Sequence, residues 1–273
     1  MFSDVFSAFD KRSRRSNFLT GAKVQARIVS ALMIREAVGR YGHENLGFFW
    51  VIGEPLLLTT GVMALWSFTH VSHDASVGVV PFALTGYSML TLWRQIVFRS
   101  LHGMRYGAAL TFHANVKYLD ILLARSLLET VGIMAAFVVA YLPLYLLGAL
   151  PLPNDPLLLF GGWLLMAWFC AGFGLLIAAL TELSDVLERF IHPVMYLTLP
   201  LTGAFYMVDW MPLKIQKYLL MSPLVHGIEM FRAGVFPPSV VTHYDPYFLA
   251  LCALLTTGIG FPLMLYAQRH VEL

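Results

Sequence analysis

An apolar run at residues 48–69 constrains this chain most strongly, because Glu54 is the one ionisable residue in it. The hydrocarbon core of a bilayer is about 30 Å thick and accommodates about 20 apolar residues as a helix. The whole chain is 58% hydrophobic and 12% charged, whereas soluble domains carry about 25% charged residues. The sequence therefore predicts an all-α, polytopic membrane protein, and no signal peptide is expected.

Six apolar stretches are long enough to predict transmembrane helices. Lysine and arginine concentrate on the cytoplasmic side of membrane proteins. Of the 18 such residues, Lys214, Lys217 and Arg232 fall on one side of the six stretches and the rest fall on the other. Both termini are therefore expected in the cytoplasm. The predicted spans are residues 48–69, 79–101, 121–147, 157–180, 190–208 and 247–267.

The N-terminal region divides into two parts. Residues 1–21 are basic and lack a sustained apolar pattern, so a mobile cytoplasmic tail is predicted, which either attracts anionic lipid or only orients the chain. Residues 22–41 predict an amphipathic helix at the membrane interface, or alternatively a helix that packs against a soluble partner. Its expected apolar face holds Val24, Ile28, Ala31, Leu32 and Val38.

The segment between the fifth and sixth spans contains a second unusual stretch. Residues 224–236 are apolar but too short to cross a bilayer. Such a stretch predicts periplasmic re-entrant helices, which must lie against protein or a wet cavity. His226, Glu229 and Arg232 recur every three residues within it. They either contact a polar substrate at the exit or satisfy one another.

Charged residues inside the spans are expected to have partners, because an isolated charge in a membrane is costly. Glu54 and Arg94 lie at similar predicted depths, so we expect them to pair, within one subunit or across a dimer. The alternative is that Glu54, next to Pro55, is only an acid at a helix N-terminus. Arg125 and Glu129 are spaced for a pair on one helix.

The chain contains no sequence motif of ATP hydrolysis or of common hydrolases. It has no Gly-Lys pair, and hence no phosphate-binding loop of the Walker type. It also lacks the patterns His-Glu-x-x-His and Gly-x-Ser-x-Gly. We therefore expect a protein that is not itself an enzyme, and any ATP-driven step requires a second subunit.

Three groups of residues form a recognisable pattern. The first group is Arg35-Glu36, Arg40-Tyr41-Gly42, Leu46-Gly47 and Trp50-x-x-x-Glu54-Pro55; the second is Ala124-Arg125-x-Leu127-Leu128-Glu129-Thr130; the third is Met211-Pro212 followed by Pro223-Leu224-x-His226 and Arg232. Together they resemble ABC-2 type polysaccharide-export permeases, with a likeness that covers about residues 30–270. The subgroup looks like the capsular polysaccharide exporters of the Kps/Bex/Ctr type. Thr198 departs from the family pattern, which usually has a larger apolar residue there.

The resemblance implies a single transmembrane domain at residues 22–273 and a particular assembly. That assembly is a homodimer with two copies of an ABC ATPase subunit, which holds MgATP, in a bacterial inner membrane. A periplasmic co-polymerase and an outer-membrane channel are further implied partners. No cofactor, metal site, catalytic residue or nucleic-acid partner is expected for this chain. Loop 102–120 would carry the helix that docks on the ATPase.

The same resemblance assigns residues to three regions. The substrate path would lie between two copies, where aromatic rings could stack on sugars, although aromatic side chains in membrane proteins more often face lipid or the core. The implied path residues are Trp50, Glu54, Tyr87, Trp93, Arg94, Tyr196 and Tyr206. The re-entrant element would use Pro223, His226, Glu229 and Arg232, and coupling to the ATPase would use Arg35, Arg40, Arg105, His113 and Lys117.

The resulting hypothesis is a permease subunit that exports a lipid-linked capsular polysaccharide. Alternatives within transport are an O-antigen, teichoic-acid or small-molecule exporter of the same family. An alternative from another class is a membrane scaffold of a glycan synthesis complex, or an integral-membrane enzyme. The absence of catalytic motifs argues against the enzyme.

Overall fold

The computed structural model describes residues 2–41, 47–69, 77–101, 116–148 and 150–271. Within these ranges the regular structure is helical. Two short 3-10 turns, Leu199–Leu201 and Val208–Trp210, lie in the segment that follows α6. The helices are α1 (Phe2–Tyr41), α2 (Gly47–Thr69), α3 (Val79–Ser100), α4 (Tyr118–Leu146), α5 (Pro156–Leu183), α6 (Asp185–Thr198), α7 (Leu213–Leu219), α8 (Pro223–Val235) and α9 (Pro246–Val271).

Three helices of the described chain are long and apolar enough to cross a membrane: Tyr118–Leu146, Pro156–Leu183 and Pro246–His270. They correspond to the third, fourth and sixth predicted spans. Helices α2 and α3 match the first two, and both ends of each of these five predicted spans agree with the structure to within about one helical turn. The prediction of an all-helical protein is confirmed for the described residues, and several of its helices are long and apolar enough to span a membrane.

Aspartate and proline determine where two of the long helices begin. Asp155 accepts hydrogen bonds from the backbone N–H groups of Leu157 and Leu158, and Pro156 occupies the first turn of α5. Asp245 does the same for Tyr247 and Phe248 at the start of α9. An N-cap carboxylate satisfies free N–H groups, and proline in the first turn loses no hydrogen bond.

The N-terminal helix differs from its prediction in length and in buried face. Helix α1 begins at Phe2 rather than near residue 22. Leu32 and Ala37 are buried on it, but Val24 and Val38, which were expected on the same face, are 45% and 49% exposed. Leu32 packs with Ile121, near the start of α4, and this contact selects the buried face.

The fifth predicted span, residues 190–208, does not form one continuous helix. Helix α6 begins at Asp185 and ends at Thr198. The chain continues as the 3-10 turn Leu199–Leu201, in which Pro200 supplies no backbone N–H to extend the α-helix. Gly203 then adopts a φ of +84°, a left-handed conformation that favours glycine. The chain therefore leaves the helix and makes a turn at residues 202–207.

The main core lies where α3, α4, α5 and α8 meet. Trp163 and Phe231 are fully buried there, with ring centroids 5.6 Å apart. Phe137 of α4 meets Phe231 edge-on at 5.0 Å. Edge-to-face and tilted aromatic pairs of this kind add stability beyond the area they bury. This cluster fixes α8 against the three long helices.

Glycines permit the closest helix contacts. A Cβ atom on Gly234 of α8 would lie 2.4 Å from the backbone nitrogen of Leu159 in α5. A Cβ atom on Gly172 of α5 would lie 2.5 Å from Oγ1 of Thr257 in α9. Small residues let helix backbones approach closely, which is the packing device expected in membranes. Helix α5 therefore packs tightly against both α8 and α9.

Candidate functional site

A cavity of about 170 Å³ lies between α2 and α3 and contains several of the predicted path residues. Because residues three, four and seven apart share a helix face, one face of α3 contributes most of the lining. Helix α2 contributes Glu54 and Leu58. The lining residues from α3 are Tyr87, Thr91, Arg94, Gln95 and Phe98.

The cavity brings Glu54 and Arg94 together without an ion pair between them. Gln95 donates from Nε2 to Oε1 of Glu54 at 3.5 Å. Arg94 has no ion-pair or hydrogen-bond partner among the side chains that the structure describes. Within one chain the expected Glu54–Arg94 pair is therefore not formed, and a pair across a dimer stays a prediction. A carboxylate, a guanidinium, a phenol, an amide and a hydroxyl thus share one cavity with Leu58 and Phe98.

The other predicted path residues lie elsewhere. Trp93 is 3% exposed and belongs to the core. Tyr196 is 61% exposed on α6. The hydroxyl of Tyr206 is buried and finds no hydrogen-bond partner in the described part of the chain. The side chain of Trp50 lies outside the described residues.

Arg232, at the end of α8, lies inside a cage of backbone carbonyls. Its guanidinium donates to the carbonyl oxygens of Gly203 at 2.8 Å, Ala204 at 2.9 Å and Tyr206 at 2.7 Å. It also lies 4.3 Å from the ring centroid of Phe82. These carbonyls belong to the turn that follows the end of α6, where no helical N–H is available to them. Arg232 therefore replaces the hydrogen bonds that the broken helix loses.

Glu229 and His226 complete this cluster. Oε1 of Glu229 lies 3.5 Å from Nη1 of Arg232, and Oε2 accepts from the backbone N–H of His243 at 3.0 Å. His226 Nδ1 accepts from the backbone N–H of Asp245 at 2.9 Å, and Nε2 lies 2.8 Å from the carbonyl of Leu220. The neutral tautomer with its proton on Nε2 satisfies both contacts.

The two interpretations of this triplet can now be weighed on geometry. All three side chains contact backbone or one another, and Glu229 and Arg232 have no exposed surface. Pro223 occupies the first turn of α8. These contacts fit side chains that satisfy one another better than side chains that contact a substrate.

A second polar cluster, at the end of the molecule where α1 packs on α4, joins three helices. Arg125 Nε lies 3.2 Å from Glu36 of α1, and Arg125 Nη1 donates to the carbonyl of Arg99 at 3.3 Å. Arg99 Nε in turn lies 3.5 Å from Glu129. The predicted pair of Arg125 with Glu129 is therefore wrong, because each residue finds a partner on another helix.

The predicted coupling residues are only partly described. Arg35 is exposed on α1, next to the cluster at Glu36 and Arg125. Lys117 is exposed at the start of α4, where its backbone N–H donates to Asp120 at 3.0 Å. Asp120 also accepts a hydrogen bond from Gln25 of α1. Arg105, His113 and the side chain of Arg40 lie outside the described residues.

Comparison with known proteins assigns the family. A family model described as ABC-2 type transporter matches residues 27–236, a range that includes the cavity, both polar clusters and α8. The chain belongs to the ABC-2 type transporter family. The resemblance inferred from the sequence motifs is confirmed.

Individual relatives of this ABC-2 protein match nearly its whole length. Capsule polysaccharide export inner-membrane protein CtrC of Neisseria meningitidis is 36% identical over 262 residues, covering 96% of this chain and 99% of the relative. Capsule polysaccharide export inner-membrane protein BexB of Haemophilus influenzae is 33% identical, over 94% and 97% of the two chains. Polysialic acid transport protein KpsM of Escherichia coli is 29% identical, over 92% and 96%.

Several residues that line the cavity or contact the polar clusters of this ABC-2 chain were not predicted from the sequence. Thr91, Gln95 and Phe98 share the helical face of Tyr87 and Arg94, so the spacing on α3 could have identified them. Arg99 contacts the second cluster only through folding, and no local pattern points to its partner. Gly86 lies against the carbonyl cage, where a Cβ atom would be 2.4 Å from the oxygen of Ala204.

Proposed function

We propose that this chain is the permease subunit of an ATP-driven exporter that moves a lipid-linked capsular polysaccharide across the bacterial inner membrane. The observation that carries the proposal is the similarity to CtrC, BexB and KpsM over nearly the full length of each chain. The names of the first two relatives describe capsule polysaccharide export and an inner-membrane location. The family assignment supports a transporter rather than a glycan-synthesis scaffold.

The proposed topology has six spans, with both termini in the cytoplasm. Its support is the uneven distribution of lysine and arginine, together with the apolar lengths of α2, α3, α4, α5 and α9. Helix α6 and the turn after it form the fifth, interrupted span. Helices α7 and α8 are the periplasmic re-entrant pair, since α8 has only 13 residues and is buried on most sides.

The proposed assembly is a homodimer with two copies of an ABC ATPase. This chain supplies no nucleotide site, needs no cofactor of its own, and has no enzymatic activity; MgATP binds to the partner. The cluster that contains Glu36, Arg125 and Arg99 connects α1 to the span bundle, and Arg35, Arg40, Arg105, His113 and Lys117 lie near the ATPase. A periplasmic co-polymerase and an outer-membrane channel receive the polymer.

The α2–α3 cavity forms part of the substrate path. Tyr87 offers a ring face for a sugar, and Arg94, which has no partner in the described chain, offers a cation for an acidic or phosphate group. Gln95 holds the carboxylate of Glu54. Trp50, Tyr196 and Tyr206 complete the proposed path, across the interface of two copies, whereas Trp93 belongs to the core.

Deletion of the gene in its native host tests the function. We expect surface polymer to be lost and polymer to accumulate in the cytoplasm, with recovery when the wild-type gene is restored. Normal surface polymer after deletion would exclude an export role. Loss of polymer from both compartments would support the scaffold, and loss of another surface glycan would support an O-antigen or teichoic-acid exporter.

A charge exchange tests the path. Glu54→Arg and Arg94→Glu are each expected to reduce export, and the double variant should recover part of it if the two side chains pair across a dimer. Arg269→Glu, at an exposed position of α9, is the matched control. If the double variant exports no better than either single variant, the proposed Glu54–Arg94 pair is contradicted. That result would not contradict the proposed export function.

A further inference from the structure

A partly open groove of about 460 Å³ lies between α1, α3, α4, α5 and α9, apart from the α2–α3 cavity. Ligand pockets for small molecules measure about 300–1,000 Å³, so the groove is large enough for a long apolar chain. Its lining includes Gln25, Lys117, Ser126, Ala171 and Phe261. None of these residues belongs to the proposed substrate path, and Lys117 is shared with the proposed ATPase-coupling set.

The depth of the groove matches one leaflet of a membrane. The lining residues on α4 extend from Lys117 to Ser126, a distance of about 14 Å at 1.5 Å per residue. Half of a 30 Å hydrocarbon core is about 15 Å. In the proposed orientation Lys117 lies at the cytoplasmic surface, and the groove therefore runs through the inner leaflet.

The chemistry of the lining changes along this depth. The mouth is polar and carries the exposed side chain of Lys117, while the carboxylate of Asp120 is held by Gln25 and by the backbone N–H of Lys117. Deeper residues of the lining are mainly apolar, and they include Leu122, Leu175 and Phe261. Leu123, which also lines the groove, is 47% exposed and joins it to the apolar outer face of α4.

We propose that this groove binds one acyl chain of an anionic phospholipid from the cytoplasmic leaflet, with the lipid phosphate at Lys117. The exposed amine of Lys117 complements an anionic headgroup, because the carboxylate of Asp120 is buried and hydrogen-bonded, and the apolar walls complement the chain. A basic residue near the surface of an anionic leaflet contributes about 1 kcal/mol of attraction. Because Gln25 lies at the mouth, the bound lipid contacts α1 directly.

Trp168 lines the groove and is 39% exposed, so its fluorescence can report occupancy. The full-length chain, purified in detergent, is titrated with phosphatidylglycerol or phosphatidylcholine that carries brominated acyl chains, which quench tryptophan. We expect a saturable quenching component that Trp168→Phe removes. Phosphatidylcholine should bind about fivefold more weakly than phosphatidylglycerol, since its choline cation offsets the charge of the phosphate that attracts Lys117.

Two variants separate the headgroup from the chain. Lys117→Gln should lower the affinity for phosphatidylglycerol about fivefold, to that of phosphatidylcholine, whereas Lys23→Gln, also exposed on the cytoplasmic side, should not. Ala171→Phe should fill the groove and abolish saturable quenching. Leu142→Phe, an exposed apolar position on α4 outside the groove, is its control.

Equal affinities for the two lipids, or unchanged quenching in Ala171→Phe, would overturn the proposal. Equal losses in Lys117→Gln and Lys23→Gln would also overturn it, because they would indicate diffuse attraction to the surface. Gel filtration and thermal unfolding check that each variant is folded, and the surface variant Lys117→Gln tests the site if Ala171→Phe is unfolded. The placement of the groove in the cytoplasmic leaflet rests on the membrane orientation proposed above. Lipid binding in detergent does not depend on that orientation, so the lipid site and the proposed orientation can each fail without the other.

Discussion

Arg232 has no exposed surface, yet its charge is stabilised from several directions. Three backbone carbonyls accept its N–H groups, and Glu229 lies on the same helix. The rigid fork of a guanidinium suits this arrangement, because it presents five donors in one plane. A lysine would carry the same charge but would not reach the same set of carbonyls.

Replacement of Arg232 by Met should therefore destabilise the protein strongly. It leaves Glu229 as a buried charge without its partner and leaves the turn carbonyls unsatisfied, and removal of one partner from a buried pair costs about 3–5 kcal/mol. We expect a clear fall in the thermal unfolding temperature in detergent, with Arg232→Lys intermediate. Arg269→Met, at an exposed position, serves as the control. An Arg232→Met protein that unfolds at the wild-type temperature would contradict the role of the cage.

At the residue scale, the spacing of residues along the sequence identified which polar side chains interact more often than it identified their partners. The i, i+4 rule paired Arg125 with Glu129, but Arg125 contacts Glu36, which lies far away in sequence. Similarly, the spacing of His226, Glu229 and Arg232 indicated a functional unit, whereas their contacts with residues 203–206 and 243–245 depend on tertiary packing. Helix spacing determines neighbours on one helix and carries no information about the next one.

At the element scale, the approach of α3 to the turn after α6 depends on Gly86. A Cβ atom there would lie 2.4 Å from the carbonyl oxygen of Ala204 and 2.8 Å from Arg232 Nη2. Backbone atoms of a caged turn cannot move aside as a flexible side chain could. The close contact between these two elements therefore requires glycine.

We expect Gly86→Ala to lower stability, although alanine normally favours a helix by about 1 kcal/mol over glycine. The expected cost of overpacking is about 1–3 kcal/mol, so the net effect should be destabilising. Gly61→Ala, in α2, provides a matched control because a Cβ atom at that position would have no neighbouring atom within 4 Å in the described part of the chain. Thermal unfolding of both variants measures the difference. Equal or higher stability of Gly86→Ala would show that the turn can move.

The polar network that joins α1 to α4, and α4 to α3, can also be tested at this scale. Glu36→Arg and Arg125→Glu should each weaken the coupling of ATP hydrolysis to export, and the double exchange should restore part of it. Residues in one ion-pair network show interaction energies of about 0.5–3 kcal/mol. The measurements are ATP hydrolysis by the assembled transporter and surface polymer in cells. Arg27→Glu, at an exposed position of α1 outside the coupling set, controls for a charge reversal alone, and strictly additive effects would argue against the pair.

At the scale of the whole molecule, the apolar runs of the sequence predicted five of the long helices to within about one turn. Length and hydropathy were sufficient there because a helix that spans a membrane must form all of its backbone hydrogen bonds within itself. For residues 190–208 the prolines indicated an interruption but not its form: the α-helix runs through Pro193, gives way to a 3-10 turn at Pro200, and Arg232 supplies hydrogen-bond donors from another element. Likewise, the cavity between α2 and α3 required the fold, since Glu54 and Gln95 are distant in sequence.

Cysteine labelling tests the proposed topology. With Cys170 and Cys252 replaced by alanine, Lys214→Cys should react with a membrane-impermeant maleimide in intact cells whose outer membrane has been permeabilised. Lys23→Cys should react only after the inner membrane is opened, because α1 lies on the cytoplasmic side. Both positions are exposed, so access to the side chain is not limiting. Labelling of both in intact cells, or of neither, would contradict six spans with cytoplasmic termini.

The early end of α6 also affects the lipid around it. Its 14 residues rise about 21 Å, whereas the hydrocarbon core measures about 30 Å. Val186, Phe190, Val194 and Leu197 form an exposed apolar stripe along it. A bilayer that meets this stripe must become thinner, unless the helix tilts or another subunit covers it. Where the bilayer does thin, a polar headgroup has a shorter apolar distance to cross, so the interrupted helix would lower the barrier at that edge of the protein.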